Sequence, residues 1–204
     1  MGRGNAVRWL PSGRKALTRL AVLAVVLLAG GALYRAFAPP SPEAVSRTAL
    51  AAVDRLDARE LLRLTDPEEL RRLNLTEASV SAMLRETLWR DCCPRVAASP
   101  VRRAPDMPAD RATFPVTAAG VARPDGPTLY VAATDSLDRG WRLHLSFLFY
   151  SYCRQRAGSE SAGRAAYVQL CRRHGVTGMQ DPRGEYHSLE QIERRAREFA
   201  AEGR

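Results

Sequence analysis

Trp141-Arg142-Leu143-His144-Leu145-Ser146-Phe147-Leu148-Phe149-Tyr150-Ser151-Tyr152 is the stretch whose period decides how the chain is read. Trp141, Leu143, Leu145, Phe147 and Phe149 recur at every second position. Arg142, His144, Ser146, Leu148, Tyr150 and Tyr152 fall between them. A period of two places one set on each face of an extended chain. The reading is therefore a long strand over Trp141–Tyr152, with one wall of large apolar groups and one semi-polar face. Thr113–Val121 and Thr128–Thr134 have the same strand character. Arg123-Pro124-Asp125-Gly126-Pro127 and Asp135–Gly140 supply the turns, so the three segments predict an antiparallel sheet.

Helical spacing surrounds this sheet. Ser41 is suited to cap a helix that has Pro42 in its first turn, and Val45, Ala49, Ala52, Val53 and Leu56 then share one face. Asp57 opens a shorter helix carrying Leu61, Leu62 and Leu64. Asp66 and Glu69 have the spacing of a capping box around Pro67. Thr76 caps the next helix, with Val80, Met83, Leu84, Thr87 and Leu88 aligned. Toward the C-terminus, Ala165–His174 reads as a helix ended by Gly175, and Val176–His187 as a hairpin around the plain turn Asp181-Pro182-Arg183-Gly184. Ser188 and Gln191 open a last helix bearing Leu189, Ile192, Ala196 and Phe199.

The N-terminal segment differs from the rest. Leu20 to Leu33 is a run of 14 residues without a polar side chain. Extended to residues 16–38 it is ~34 Å long as a helix, with Arg19 and Arg35 placed to snorkel at its two ends, and this matches a bilayer's hydrocarbon core. A cleaved signal peptide is the rival reading, because Ala36-Phe37-Ala38 has the small-x-small form of a cleavage site. Pro39 directly after that site and Arg35 within it favour an anchor. Six of the 31 basic residues precede residue 36 and no acidic residue does, so the basic flank is expected in the cytoplasm and the domain outside it. The expectation is a single-pass protein of the inner (cytoplasmic) membrane, with the lipid bilayer as partner through residues 16–38. The remaining 25 basic residues are interspersed with 22 acidic ones. No clustered basic stripe for nucleic acid results.

The domain order is then a basic flank at 1–15, a transmembrane anchor at 16–38, a linker at 39–42, an α+β domain at 43–157 and a C-terminal helical extension at 158–204. Several helices followed by antiparallel strands, the last one long, resembles the nuclear transport factor 2-like fold. The openings Ser41-Pro42-Glu43-Ala44-Val45 and Asp57-Ala58-Arg59-Glu60-Leu61 look like the first two helices of its exported bacterial members. The resemblance implies helices packed on a curved antiparallel sheet around a conical cavity. It implies no single activity, since that fold serves isomerases, small-molecule cyclases and catalytically silent scaffolds alike.

In the isomerase-like relatives that the resemblance points to, the semi-polar face lines the cavity, and the resemblance therefore implies His144 as a base or ligand-orienting group, with Tyr150 and Tyr152 as donors and Arg142 as an anion anchor. The competing reading is a solvated or covered strand face. No carboxylate lies on that strand to complete an acid–base pair. Cys92, Cys93, Cys153 and Cys171 are disulfide candidates in an oxidising compartment, or else buried thiols. Adjacent cysteines do not supply zinc-ligand spacing, and His174 and His187 stand apart, so neither metal nor cofactor is expected. With no nucleotide-binding or hydrolase motif, the sequence reads as a membrane-anchored, non-catalytic interaction or ligand-binding module. A small cavity enzyme of isomerase or cyclase type using His144 with Tyr150 or Tyr152, and a structural subunit of an envelope or secretion assembly, are the alternatives. The latter brings other membrane or envelope proteins as partners.

Overall fold

The computed structural model describes residues 21–26, 40–87, 110–116, 129–136 and 140–202. The chain divides into two units, Met1–Pro39 and Pro40–Arg204. In the first, residues 21–26 are helical and expose Val22, Leu23, Val25 and Val26. Among the described residues no helix is long and apolar enough to cross a membrane. The expected transmembrane helix is corrected on that finding, and the rest of 16–38 lies outside the described residues.

The second unit opens with four short helices. α1 (Pro42–Asp54) starts at Ser41, whose hydroxyl accepts from Ala44 N, and buries Val45, Ala49, Leu50, Ala52 and Val53. It ends where Leu56 turns left-handed at φ 55° and the Leu56 and Asp57 amides close back onto Val53 and Ala52. α2 (Ala58–Leu64) is capped by Asp57, and α3 (Pro67–Leu73) by Asp66. The expected box between Asp66 and Glu69 does not form. Asp66 accepts from Glu68 N, and Glu69 turns into the core. α4 (Glu77–Glu86) begins at Thr76, in a capping box with Ser79.

β1 (Arg111–Val116), β2 (Leu129–Ser136) and β3 (Gly140–Leu143) form an antiparallel sheet in that order. The register sets Arg111, Thr134 and Arg142 in one cross-strand row. Here the expected fold is corrected a second time. The chain leaves the sheet at Leu143, and α5 (Leu145–Ala157) replaces most of the long strand read over Trp141–Tyr152. All nine residues from Leu145 to Cys153 are buried. A helix buried all round needs apolar groups at both parities, and Leu148, Tyr150 and Tyr152 provide them beside Leu145, Phe147 and Phe149. Among the described residues the sheet is thus three short strands and does not end in a long one.

Gly158, at φ 77°, ends α5, and Ser159 starts α6 (Glu160–His174). Gly175, expected to end this helix, closes α6 in the left-handed conformation. β4 (Gly178–Gln180) and β5 (Tyr186–Ser188) make a separate two-stranded hairpin, followed by α7 (Leu189–Ala201) with the expected Ser188–Gln191 capping box. The C-terminal elements are not a tail. Tyr167, Leu170, Cys171, Val176, Met179 and Ile192 belong to the same buried cluster as Val45, Leu61 and Val131.

Candidate functional site

The most polar part of the core lies at the N-terminus of α5. His144 is the residue before its first turn and makes no side-chain cap. The free amides of that turn are met from another element. Glu69 on α3 accepts the Ser146 amide at 2.8 Å and the Ser146 hydroxyl at 2.6 Å, both on Oε1. A carboxyl group at a helix N-terminus meets unpaired N–H groups and the positive end of the helix dipole. Ser146 Oγ in turn accepts Gln180 N at 3.0 Å, which ties the β4–β5 hairpin to the same point.

His144 completes the cluster. Its Nε2 is hydrogen-bonded to Thr134 Oγ1 on β2. Its Nδ1 lies 3.9 Å from Glu69 Oε2, and neither atom has a hydrogen-bond partner among the described residues. Glu69 is 1% exposed and His144 4%. Burial raises the Glu69 carboxyl to about 7, partly countered by its bonds from Ser146 and Leu145. Burial also lowers the His144 imidazole to about 4, with Asp181 and Asp66 pulling upward and Arg111 downward. The imidazole is thereby neutral near neutral pH, and the carboxyl exchanges its proton there. Thr134 is only half-buried and forms the outer end of the cluster, between Arg111 and Arg142 in the strand register.

The residues singled out in the sequence do not converge. Arg142 stays near His144 and donates to the Arg63 carbonyl at 3.2 Å. The Tyr150 hydroxyl donates to the Glu160 carboxylate, with Arg164 lying 5.3 Å from the centre of its ring. Burial, with Glu160 beside it, holds that phenol above its ordinary range. The Tyr152 hydroxyl donates to the Thr87 carbonyl. Six to eight residues along a helix set these tyrosines ~9–12 Å beyond His144. Cys153 and Cys171 are buried free thiols, each pushed up to about 12 by burial. Cys92 and Cys93 lie outside the described residues.

Two further features were not legible one residue at a time. Glu69 reaches Ser146 across 77 positions. On the hairpin, the β4–β5 register carries Asp181, Glu185 and His187 to one face, where one potential ligand atom from each lies within 4.8 Å of the others. Asp181 Oδ1 is occupied by the amides of Arg183 and Glu185, and His187 Nε2 lies 3.3 Å from Asp181 Oδ2. These are the side chains that could hold a cation among the described residues. A cavity of about 370 Å³ opens between α4, α5 and α6 beside Thr87, Tyr152, Cys153, Arg156, Leu170 and Arg173. Its size falls at the lower end of small-molecule sites.

No protein-family model, no curated protein and no solved structure matches this chain.

Proposed function

We propose that this chain is a membrane-associated, non-catalytic binding module. One observation carries the non-catalytic part. His144, the imidazole best placed for acid–base work, is 4% exposed, and its ring nitrogens face Thr134 and Glu69 inside the core. A general base must reach the proton that it removes. The hydroxyls of Tyr150 and Tyr152, its nominal partners, are committed to Glu160 and Thr87. The cavity between α4, α5 and α6 supports the binding part, since it combines apolar walls with a polar edge of Arg173, bridged to Glu86, and Arg156, which donates to the Thr87 carbonyl. Membrane association is supported by the apolar run Leu20–Leu33 and by the exposure of Val22, Leu23, Val25 and Val26.

Native mass spectrometry of the full chain, extracted gently from its own membranes, tests this reading. A discrete small added mass, lost on changing Leu170→Trp in the cavity wall, is the expected result. Recovery from the soluble fraction would remove the membrane part. Turnover of any small substrate that disappears in His144→Gln would overturn the non-catalytic part.

A further inference from the structure

Glu69, His144 and Thr134 come from three different elements and lie in line as carboxyl, imidazole and hydroxyl. Oε1 of Glu69 is taken by Ser146, so only Oε2 remains for His144 Nδ1. Nε2 on the other side of the ring is bonded to Thr134. A neutral imidazole carries hydrogen on one nitrogen only. Each of the two links can hold one bridging hydrogen, so the placement on the inner link dictates the placement on the outer one.

We infer that Glu69, His144 and Thr134 form a proton-driven tautomer switch whose outer end is the Thr134 hydroxyl. With Glu69 protonated, Oε2–H donates to Nδ1, Nε2–H donates to Thr134 Oγ1, and the threonine hydrogen points away from the ring. With Glu69 ionised, Nδ1–H donates to Oε2, and the Thr134 hydroxyl donates to Nε2. The change releases one proton. The carboxyl hydrogen passes to Nδ1, the Nε2 hydrogen passes to Oγ1, and the former threonine hydrogen leaves to solvent. The 3.9 Å separation is about 1 Å longer than a hydrogen bond, so either form draws Glu69 and His144 together by a small side-chain movement.

The surroundings favour titration of the carboxyl over that of the ring. Asp66 on α3 and Asp181 on the hairpin attract an imidazolium, while Arg111 on β1 opposes it. Arg142 precedes His144 on β3 and adds a second positive charge nearby, and His187 is already matched to Asp181. Burial keeps the ring neutral and places the Glu69 carboxyl near neutrality. Thr134 is half-buried between Arg111 and Arg142, so the reversal is presented at the edge of the core. The inference is independent of any ligand in the α4–α5–α6 cavity.

Nitrogen-15 NMR of the full chain with labelled histidine tests it, because the protein has only three histidines and His144→Gln assigns the signal. Between about pH 5.5 and about pH 8.5, His144 is expected to pass from the Nε2–H to the Nδ1–H form without becoming charged. Glu69→Gln is expected to hold Nε2–H throughout, because the amide can donate to Nδ1 at any pH. Thr134→Val leaves the inner pair intact and is expected to keep the switch. One unchanging tautomer in the wild type, a doubly protonated ring within that range, or loss of the switch in Thr134→Val overturns the inference.

Discussion

The Ser146 hydroxyl donates to Glu69 Oε1 at 2.6 Å and accepts the Gln180 amide at 3.0 Å, so one oxygen joins α3, α5 and the β4–β5 hairpin. Ser146 is fully buried. Ser146→Ala leaves the half-buried Gln180 amide and the buried Glu69 carboxyl each short of a partner. The expected loss is about 3 kcal/mol of stability, read by urea unfolding. Ser146→Thr, which keeps the oxygen, is expected to lose less if its extra methyl is accommodated.

The buried pair sets the pH response. The Glu69 carboxyl stands at about 7 in the folded chain, above its ordinary 4.5, so the unfolded chain gives up that proton first. Its contribution to stability grows as pH falls from about 7 to about 4.5. The His144 imidazole stands at about 4, below its ordinary 6.5. Its contribution is complete above about 6.5 and is lost as pH falls toward 4. The two slopes oppose each other between about 4.5 and 6.5, so this pair leaves the wild type nearly flat there. Glu69→Gln is expected to lose stability with acidification across that window, and His144→Gln to gain it. Parallel wild-type and mutant slopes in chemical unfolding would contradict the assignment.

Asn74 offers a backbone test. It ends α3 at φ 56°, a region disfavoured for residues with a Cβ, and its side-chain amide donates to the Gly175 carbonyl at 3.0 Å. Asn74→Gly loses that bond but relieves the backbone, whereas Asn74→Ala loses the bond and keeps the strain. Alanine is expected to be the more costly by about 1 kcal/mol in thermal or urea unfolding.

Much of the helical framework was legible because its signals are local. Ser41, Asp57, Asp66, Thr76 and Ser188 each cap a helix within three residues of the group that they bind. Gly175 is likewise recognisable without tertiary knowledge. The error at Trp141–Tyr152 has a physical cause. Where both parities are apolar, alternation is present but uninformative, and the run continues as a fully buried helix. Twelve residues is long for a strand, and length was the better guide. The polar cluster was half legible. His144 was visible as the unusual residue of its segment, whereas Glu69 looked like a capping residue and met Ser146 only through the tertiary fold. The same holds for Asp181, Glu185 and His187, whose common face exists only once the hairpin register is known.

Gly163 lies at a close approach of α5 and α6. A Cβ built there would lie 2.4 Å from the Cα of Arg154, which is backbone and cannot swing aside. Gly163→Ala therefore has to push the two helices apart, against the Arg164–Glu160–Arg154 bridge and the Tyr150–Tyr167 edge contact beside it. The gain in helix propensity is smaller than this overpacking, and a net loss of about 2 kcal/mol is expected by thermal unfolding. An unchanged or raised melting temperature would show that the helices can separate without cost.

Cys153 and Cys171 report on whether that helix pair opens. Cys171 is fully buried, Cys153 is 7% exposed, and burial pushes both thiols up to about 12. At pH 8 a thiol so shifted is ionised in only about one molecule in ten thousand, and the thiolate is the form that alkylates. Both cysteines are expected to resist iodoacetamide in the folded chain and to react fully in urea, with the sites mapped by mass spectrometry. Cys153 lines the α4–α5–α6 cavity, so a ligand held there slows its residual reaction further, while Cys171 is unaffected. Equal and rapid labelling of both in the absence of denaturant would mean that α5 and α6 part readily, and a cavity bounded by a joint that opens so easily could not select a ligand.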